Sequence, residues 1–434
     1  MSYTFIRTLV LACAFTFAMA SGAWAAGSDD IASRIDILEQ ELQSLKESLK
    51  TVTQQATEAT QEAKRAKKEA KKARAEAVEE RDTATKWHLA GYGDVSFRAS
   101  DLDSEETSFL GGTLVPIFHF QYEDLLMFEG ELEIETESDG STKVALEYST
   151  LDLILDDNLT VVAGKFLSPL GQFQERLHPS WINKAPDRPS GFAGSNGALP
   201  LSDLGVMVRG GAYFDPMMIN YSLYSGNGPQ LELTGGVLEK VELEGFGSDD
   251  NGPKSFGGRI GVLPVPYVEL GGSYMTSKIK GKKVAGVAGD LTAGDYTFWG
   301  VDAAYTRGYA DLRFEYFSSE LDTFFSQSEA ATATAAVDKT DWEAWYAQAA
   351  YQLSGITDLP ILKNLEPVIR YSQFSVKGFE EFVAEGKPED KLTVGLNYLF
   401  APSLVWKNAI SMRDFRNAGA QNSTEYRTQL AYGF

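Results

Sequence analysis

The sequence predicts an all-β transmembrane barrel of about sixteen antiparallel strands, preceded by a long α-helical coiled coil. Three observations carry this. From Lys86 onward, apolar and polar residues alternate in segments of about ten, as they must when one strand face meets lipid and the other an aqueous lumen. The links between segments alternate between short turns and long polar loops, the usual asymmetry of such barrels. Beyond the N-terminus no apolar run reaches the ~18 residues of a spanning helix. A chain of 434 residues with net charge −22, 12% aromatic residues and 40 glycines suits a large β-protein with polar loops better than a disordered one.

Residues 1–25 read as a secretory signal. Arg7 precedes the apolar run TLVLACAFTFAMA, and Ala23-Trp24-Ala25 is a small-x-small site with cleavage before Ala26. The competing reading is a lipoprotein signal ending at Cys13, which leaves too short an apolar run ahead of the cysteine. Cys13 is the only cysteine, so cleavage yields a cysteine-free chain and excludes disulfide frameworks and cysteine–zinc sites.

Residues 26–85 form the predicted coiled coil. Ile31, Leu38, Leu45, Val52, Ala59, Ala66 and Ala73 fall at d, and Ile35, Leu42, Leu49, Ala56, Ala63, Ala70 and Ala77 at a. That unbroken 3–4 spacing specifies a left-handed supercoil, about 70 Å long at 1.5 Å per residue. Large residues fill the first half. Alanines in the second bury little, so the helices there either approach closely or splay. Between Lys64 and Arg74 lie Lys64, Arg65, Lys67, Lys68, Lys71, Lys72 and Arg74. They are either a solvated face or a periplasmic contact with an anionic polymer such as peptidoglycan. Nucleic acid is not an expected partner of a secreted chain.

Residues 86–434 supply the barrel. Sixteen segments begin near 87, 108, 125, 142, 159, 204, 216, 254, 267, 296, 309, 342, 365, 391, 404 and 424. In LAGYGDVSFRA (89–99), Leu89, Gly91, Gly93, Val95, Phe97 and Ala99 face lipid, while Tyr92, Asp94, Ser96 and Arg98 face the lumen. In MFEGELEIETE (127–137), Phe128, Leu132 and Ile134 point out, and Glu129, Glu131, Glu133, Glu135 and Glu137 form an inward acidic ladder. Long links at 168–203, 227–253, 280–294, 322–340 and 378–389 follow odd-numbered segments, and short turns follow even ones, 355–364 excepted. With the N-terminus in the periplasm, the long loops are extracellular. The closing segment TEYRTQLAYGF ends at Phe434, an aromatic of the kind outer-membrane proteins present to their assembly machinery.

The longest irregular stretch, Leu167 to Asp203, reads LSPLGQFQERLHPSWINKAPDRPSGFAGSNGALPLSD. A structureless loop of this length is usually functional or disordered. It is predicted to fold into the mouth and narrow the pore, bringing Glu175, Arg176, Lys184, Asp187 and Arg188 to the constriction. Alternation also turns Arg98, Arg370, Lys391, Lys407, Arg413 and Arg427 inward from strands that become neighbours on closure, as one basic wall. Either that wall and a partly acidic loop set up a transverse field, or the lumen charges merely hydrate the interior and pair with Glu129 to Glu137. The acidic total favours cations and the basic wall favours anions.

Sixteen strands, a long third external loop and a closing phenylalanine resemble the trimeric porins. The run AGKFLSPLGQF (163–173) also resembles the phosphate-selective porins O and P, and a periplasmic coiled coil ahead of the barrel is similar to the dicarboxylate-type porins. The resemblance implies a water-filled pore for passive diffusion of small hydrophilic solutes and ions, homotrimers, contact with outer-membrane lipid and lipopolysaccharide, and an inward-folded third loop. It places the protein in the outer membrane of a Gram-negative bacterium. Phosphate specificity is not carried over, because no arginine ladder matches position by position.

An enzyme is not expected. His88, His119 and His178 sit in no nucleophile–base pattern, and no metal-ligand spacing, phosphate loop or dinucleotide fingerprint implies a cofactor or metal. The alternative from another class is an envelope tether, whose coiled coil contacts peptidoglycan while the barrel only anchors it.

Overall fold

The computed structural model describes residues 85–434 apart from 103–105, 193–197, 235–236, 246, 250–251, 285, 328–332 and 418–419, together with scattered positions between 39 and 68. Those scattered positions are helical and exposed. The signal segment 1–25, the pairing of the heptads and residues 71–74 of the basic run lie outside the described residues. Ala84–Phe434 groups by its contacts into a unit of its own.

In chain order the strands are β1 (Thr85–Ser100), β2 (Ser108–Tyr122), β3 (Leu126–Thr136), β4 (Thr142–Asp156), β5 (Leu159–Leu167), β6 (Ser202–Phe214), β7 (Met217–Gly226), β8 (Gln230–Thr234), β9 (Val237–Glu242) and β10 (Ser255–Val265). They continue with β11 (Val268–Lys280), β12 (Ala293–Arg307), β13 (Ala310–Leu321), β14 (Phe324–Ser326), β15 (Ala335–Val337), β16 (Thr340–Tyr351), β17 (Leu365–Lys377), β18 (Glu389–Ala401), β19 (Leu404–Phe415) and β20 (Ser423–Gly433). Without β8–β9 and β14–β15, which are separate two-stranded hairpins in long loops, the strands close into one sixteen-stranded barrel. Each of the sixteen expected segments is a barrel strand, and the two hairpins are additions that the sequence reading lacked.

Pairing is antiparallel throughout, and β1 meets β20 from Tyr92↔Gly433 to Ser100↔Glu425. Gly91 and Phe434 exchange backbone hydrogen bonds of 3.0 and 2.9 Å at the seam. A Cβ on Gly91 would lie 2.5 Å from the Val115 carbonyl oxygen and 2.7 Å from the Phe434 ring, so only glycine fits there.

The two strand faces differ as the pleat requires. In β16, Trp342, Ala344 and Tyr346 are buried in the barrel while Glu343 and Ala347 are exposed on the other face. Outward apolar residues such as Phe128, Val206, Ile260, Leu312, Ile369 and Ile410 stand exposed around the wall. Trp87, Tyr213, Phe214, Tyr309 and Phe400 gather beside the short turns, as an interfacial aromatic girdle does.

The core lies inside the barrel, on one side. Phe166 and Phe298 from the wall and Phe173 and Phe192 from the 168–201 loop pack with Phe317, Tyr346 and Phe374. Phe192 is fully buried, with ring centroids 5.0 Å from Phe317, 5.1 Å from Tyr346 and 5.7 Å from Phe173. Each buried phenylalanine contributes about 1.5–3 kcal/mol by area. Hairpin β8–β9 adds Leu231 and Val241 to this core, and the short helix Glu380–Gly386 adds Phe382 against Trp342.

Candidate functional site

The described residues of the segment between β5 and β6, 168–192 and 198–201, lie against the inner face of the barrel wall. Its neck is closed by backbone bonds from Ser168 N to Leu201 O (2.9 Å) and from Leu201 N to Leu243 O (3.1 Å). Gly171 follows with φ +81, and a Cβ there would meet Glu315 Oε1 at 1.7 Å. That close approach lets Glu315 on β13 accept the backbone N–H groups of Gln172 (3.3 Å) and Phe173 (3.0 Å). Gln172 donates from its side chain to Asp302 (2.7 Å) and accepts from Arg313 (3.0 Å). Asp302 also holds the buried Arg259 (2.6 Å). These polar atoms beneath the loop satisfy one another, as burial demands.

One helical turn, Phe173–Leu177, then carries Glu175 and Arg176. Arg176 pairs with Glu269 (3.0 Å) and touches Glu175 (3.6 Å). His178 Nδ1 lies 2.6 Å from the Gln174 carbonyl oxygen. Its other nitrogen faces Tyr92 Oη at 3.5 Å and Glu131 at 3.9 Å, and Tyr92 donates to Glu131 at 3.0 Å. This three-residue contact joins β1, β3 and the loop.

The chain next runs along the basic wall. Lys407 on β19 donates to the Ser180 carbonyl oxygen and to Gln429 (3.1 Å). Lys184 pairs with Glu366 on β17 (2.7 Å), and its carbonyl accepts from Asn397 (2.9 Å). Asp187 is clasped by Lys391 on β18 (2.8 Å) and approached by Arg370 on β17 (3.9 Å). Arg370 also donates to the Asp187 carbonyl oxygen (2.9 Å) and to Gln348 (2.9 Å), and Lys391 to the Arg188 carbonyl oxygen (2.8 Å). Burial alone would push the Asp187 carboxyl up, but the Lys391 ammonium and Arg370 guanidinium outweigh it and hold the carboxyl down at about 2.

The structure therefore brings Lys184, Asp187 and Arg188 together with Arg370, Lys391 and Lys407. Arg370 and Lys407 are 1% exposed and Lys391 6%, so these cations are buried against loop atoms, with Lys407 also bordering a cavity of ≈ 360 Å³. Arg413 pairs with Glu389 (2.7 Å) and Arg427 with Glu425 (2.8 Å). Arg98 stands opposite Arg427 in register. Glu129 accepts from Tyr148 (2.7 Å) and lies 3.3 Å from His119. Glu131 takes part in the His178 contact, and Glu133 sits beside Glu147 with Arg188 nearby. Among the described residues, the acidic ladder on β3 makes no ion pair with the wall of β17–β20.

Three features escaped sequence reasoning. Glu315, Asp302 and Arg259 beneath the loop are inward positions of alternating strands, which alternation flags only as lumen-facing. His178 gave no motif. The aromatic core gave a weak signal, because β13 and β16 carry aromatics on both faces.

Cavities flank the loop. One of ≈ 270 Å³ lies between the loop and the β1–β3 wall, bordered by Asp94, Glu133, Glu135, Arg188 and Arg427. A second of ≈ 240 Å³ is bordered by Glu129, Glu131, Tyr148, Arg176 and Arg209. A third of ≈ 370 Å³ opens towards the short-turn end beside Asp157, Tyr221 and Arg259.

Residues 241–432 match the family of phosphate-selective porins O and P. The fold is similar to the anion-selective porin from Comamonas acidovorans, at 13% identity and TM-score 0.54, covering 81% of this chain and 100% of that one. It is also similar to the outer membrane channel DcaP of Acinetobacter baumannii, at 12% identity and TM-score 0.50, covering 81% of this chain and 98% of that one. No curated protein matches the chain. The chain resembles the phosphate-selective porins O and P, and the match and the barrel together indicate an outer-membrane protein of porin type.

Proposed function

We propose that this porin-type barrel is a water-filled channel for passive diffusion of small hydrophilic solutes and ions, narrowed by the loop 168–201. The observation that carries this is the chain of polar cavities beside the loop, where the third cavity shares Glu175, Arg176 and Arg209 with the second. A barrel of this strand number is wide enough for an aqueous channel, and loops set its width. Glu175, Arg176 and Arg188 border the constriction from the loop, while Lys184 and Asp187 hold the loop in place. Residues 26–85 serve as a periplasmic coiled coil after loss of 1–25, and the barrel assembles as a homotrimer in contact with lipid and lipopolysaccharide.

Single-channel recording in planar bilayers tests the reading. Stepwise ohmic conductance from the folded protein is expected. A folded, inserted protein without conductance refutes it and favours the tether, in which Lys64 to Arg74 engage peptidoglycan.

A further inference from the structure

The loop divides the lumen unequally. On the β11–β17 side it is packed dry against aromatics, and Ser319, 1% exposed, donates to the Ala198 carbonyl oxygen at 2.9 Å. On the β17–β19 side its carbonyls and Asp187 absorb Arg370, Lys391 and Lys407. A cavity of ≈ 360 Å³ lies between the loop and β13–β19, bordered by Lys184, Arg313, Glu366 and Lys407, and the three described above run along β1–β4 and then β6–β7. The first and second share His178 as a border, and the second and third share Arg176 and Arg209.

The charges along this course are unequal as well. Glu129, Glu131, Glu133 and Glu135 alternate along the inner face of β3, about 7 Å apart. Asp94 on β1 joins them, and Glu147 lies beside Glu133. The facing cations are mostly engaged: Arg176 by Glu269, Arg209 by Asp152 and Arg427 by Glu425. Arg188 donates to the Gln174 side-chain oxygen at 3.4 Å and lies near Glu133, and Lys143 stands opposite Glu135 in register. Where the first two cavities meet, Tyr92, Glu131 and His178 close to within 3.9 Å.

We propose that solutes cross on this acid-lined side of the loop, and that Glu131 and Glu133 make the passage selective for cations, including small organic ammonium ions. The inference rests on the channel reading and adds its route and its charge preference. An ion forced past the Tyr92–Glu131–His178 contact sheds much of its water, so a carboxylate there acts with little screening. Of the basic wall, Lys391 and Arg370 are held by Asp187, and Lys407 is buried against the Ser180 carbonyl oxygen.

Reversal potentials across a salt gradient test the preference. Wild type favours the cation. Glu131→Gln with Glu133→Gln lowers the cation-to-anion permeability ratio about three- to tenfold, and Glu133→Gln alone does so in the same direction should the pair fail to fold. Asp295→Asn, at an exposed outer position, leaves the ratio unchanged. A second measurement tests the route. In the mature chain, which lacks Cys13, a cationic thiol reagent lowers conductance through Glu133→Cys and leaves Ser319→Cys unaffected. An anion-selective wild type, a ratio unmoved by the glutamine variants, or a block at Ser319→Cys with none at Glu133→Cys overturns the inference and leaves the channel standing. A folded protein that conducts nothing overturns the channel reading, and this inference with it.

Discussion

Replacing Asp187 by asparagine would loosen the loop without changing its shape. The carboxylate is the anionic side of a clasp with Lys391 at 2.8 Å and Arg370 at 3.9 Å, and both partners are buried. Breaking such a pair typically costs about 3–5 kcal/mol, because a charge is left buried and uncompensated. Here part of the compensation survives, since Lys391 keeps the Arg188 carbonyl oxygen and Arg370 keeps Gln348. A cost of about 2–3 kcal/mol is therefore expected, or about 30- to 150-fold in the docked-to-released ratio. The same two cations hold the Asp187 carboxyl below its usual range despite its burial.

The sign fixes the pH window. A depressed carboxylate stabilises docking fully above pH ~4, and the contribution is lost as pH falls through about 2. Wild-type recordings should be steady at pH 7 and pH 5 and should gain brief high-conductance excursions only below pH ~4. Asp187→Asn should show such excursions already at pH 7, with faster proteolysis at Arg188. Quiet, wild-type conductance from a folded Asp187→Asn barrel would refute the idea that this clasp seats the loop.

Three further outcomes are expected. Gly171→Ala meets Glu315 at a positive φ, should weaken docking by about 1–3 kcal/mol, and is read by protease sensitivity within 168–201. Phe192→Ala empties the centre of the aromatic cluster at a cost of about 3–5 kcal/mol, and no drop in melting temperature or loop protection would contradict that packing. Deleting 26–85 should leave a trimeric but less stable barrel in mild detergent, whereas a monomeric mass for the wild type would count against trimers altogether.

The barrel was legible because one rule, alternation, applies at every strand. TDWEAWYAQAAY places Trp342, Ala344 and Tyr346 on one side wherever the strand pairs. Arg370, Lys391 and Lys407 were legible as inward for the same reason. Their work was not, since it depends on which loop carbonyl arrives beside each one, and Lys391 meets Arg188 across a separation of 203 residues. Alternation also treats an inward phenylalanine and an inward glutamate alike as lumen-facing. Hence the aromatic side at Phe298 and Phe317 and the acidic side at Glu129 and Glu133 looked equivalent. The charge of the loop suggested a screen facing a basic wall. The structure shows loop charge engaged in attachment at Lys184 and Asp187, and Glu129, Glu133 and Glu135 of β3 bordering cavities.

The seam between β1 and β20 has a consequence for the order of assembly. It joins Asp101 to Thr424, 323 residues apart, so the ring cannot close until nearly the whole chain is present. The loop in turn leans on Lys391, Asn397, Lys407 and Gly433, which belong to the strands made last. Contacts of such long sequence separation form late and slowly, because chain entropy is lost before they can reward it. Until then 168–201, with its phenylalanines, has no complete wall to enter. The interval before β20 reaches β1 is thus when the apolar side chains of this loop are least covered.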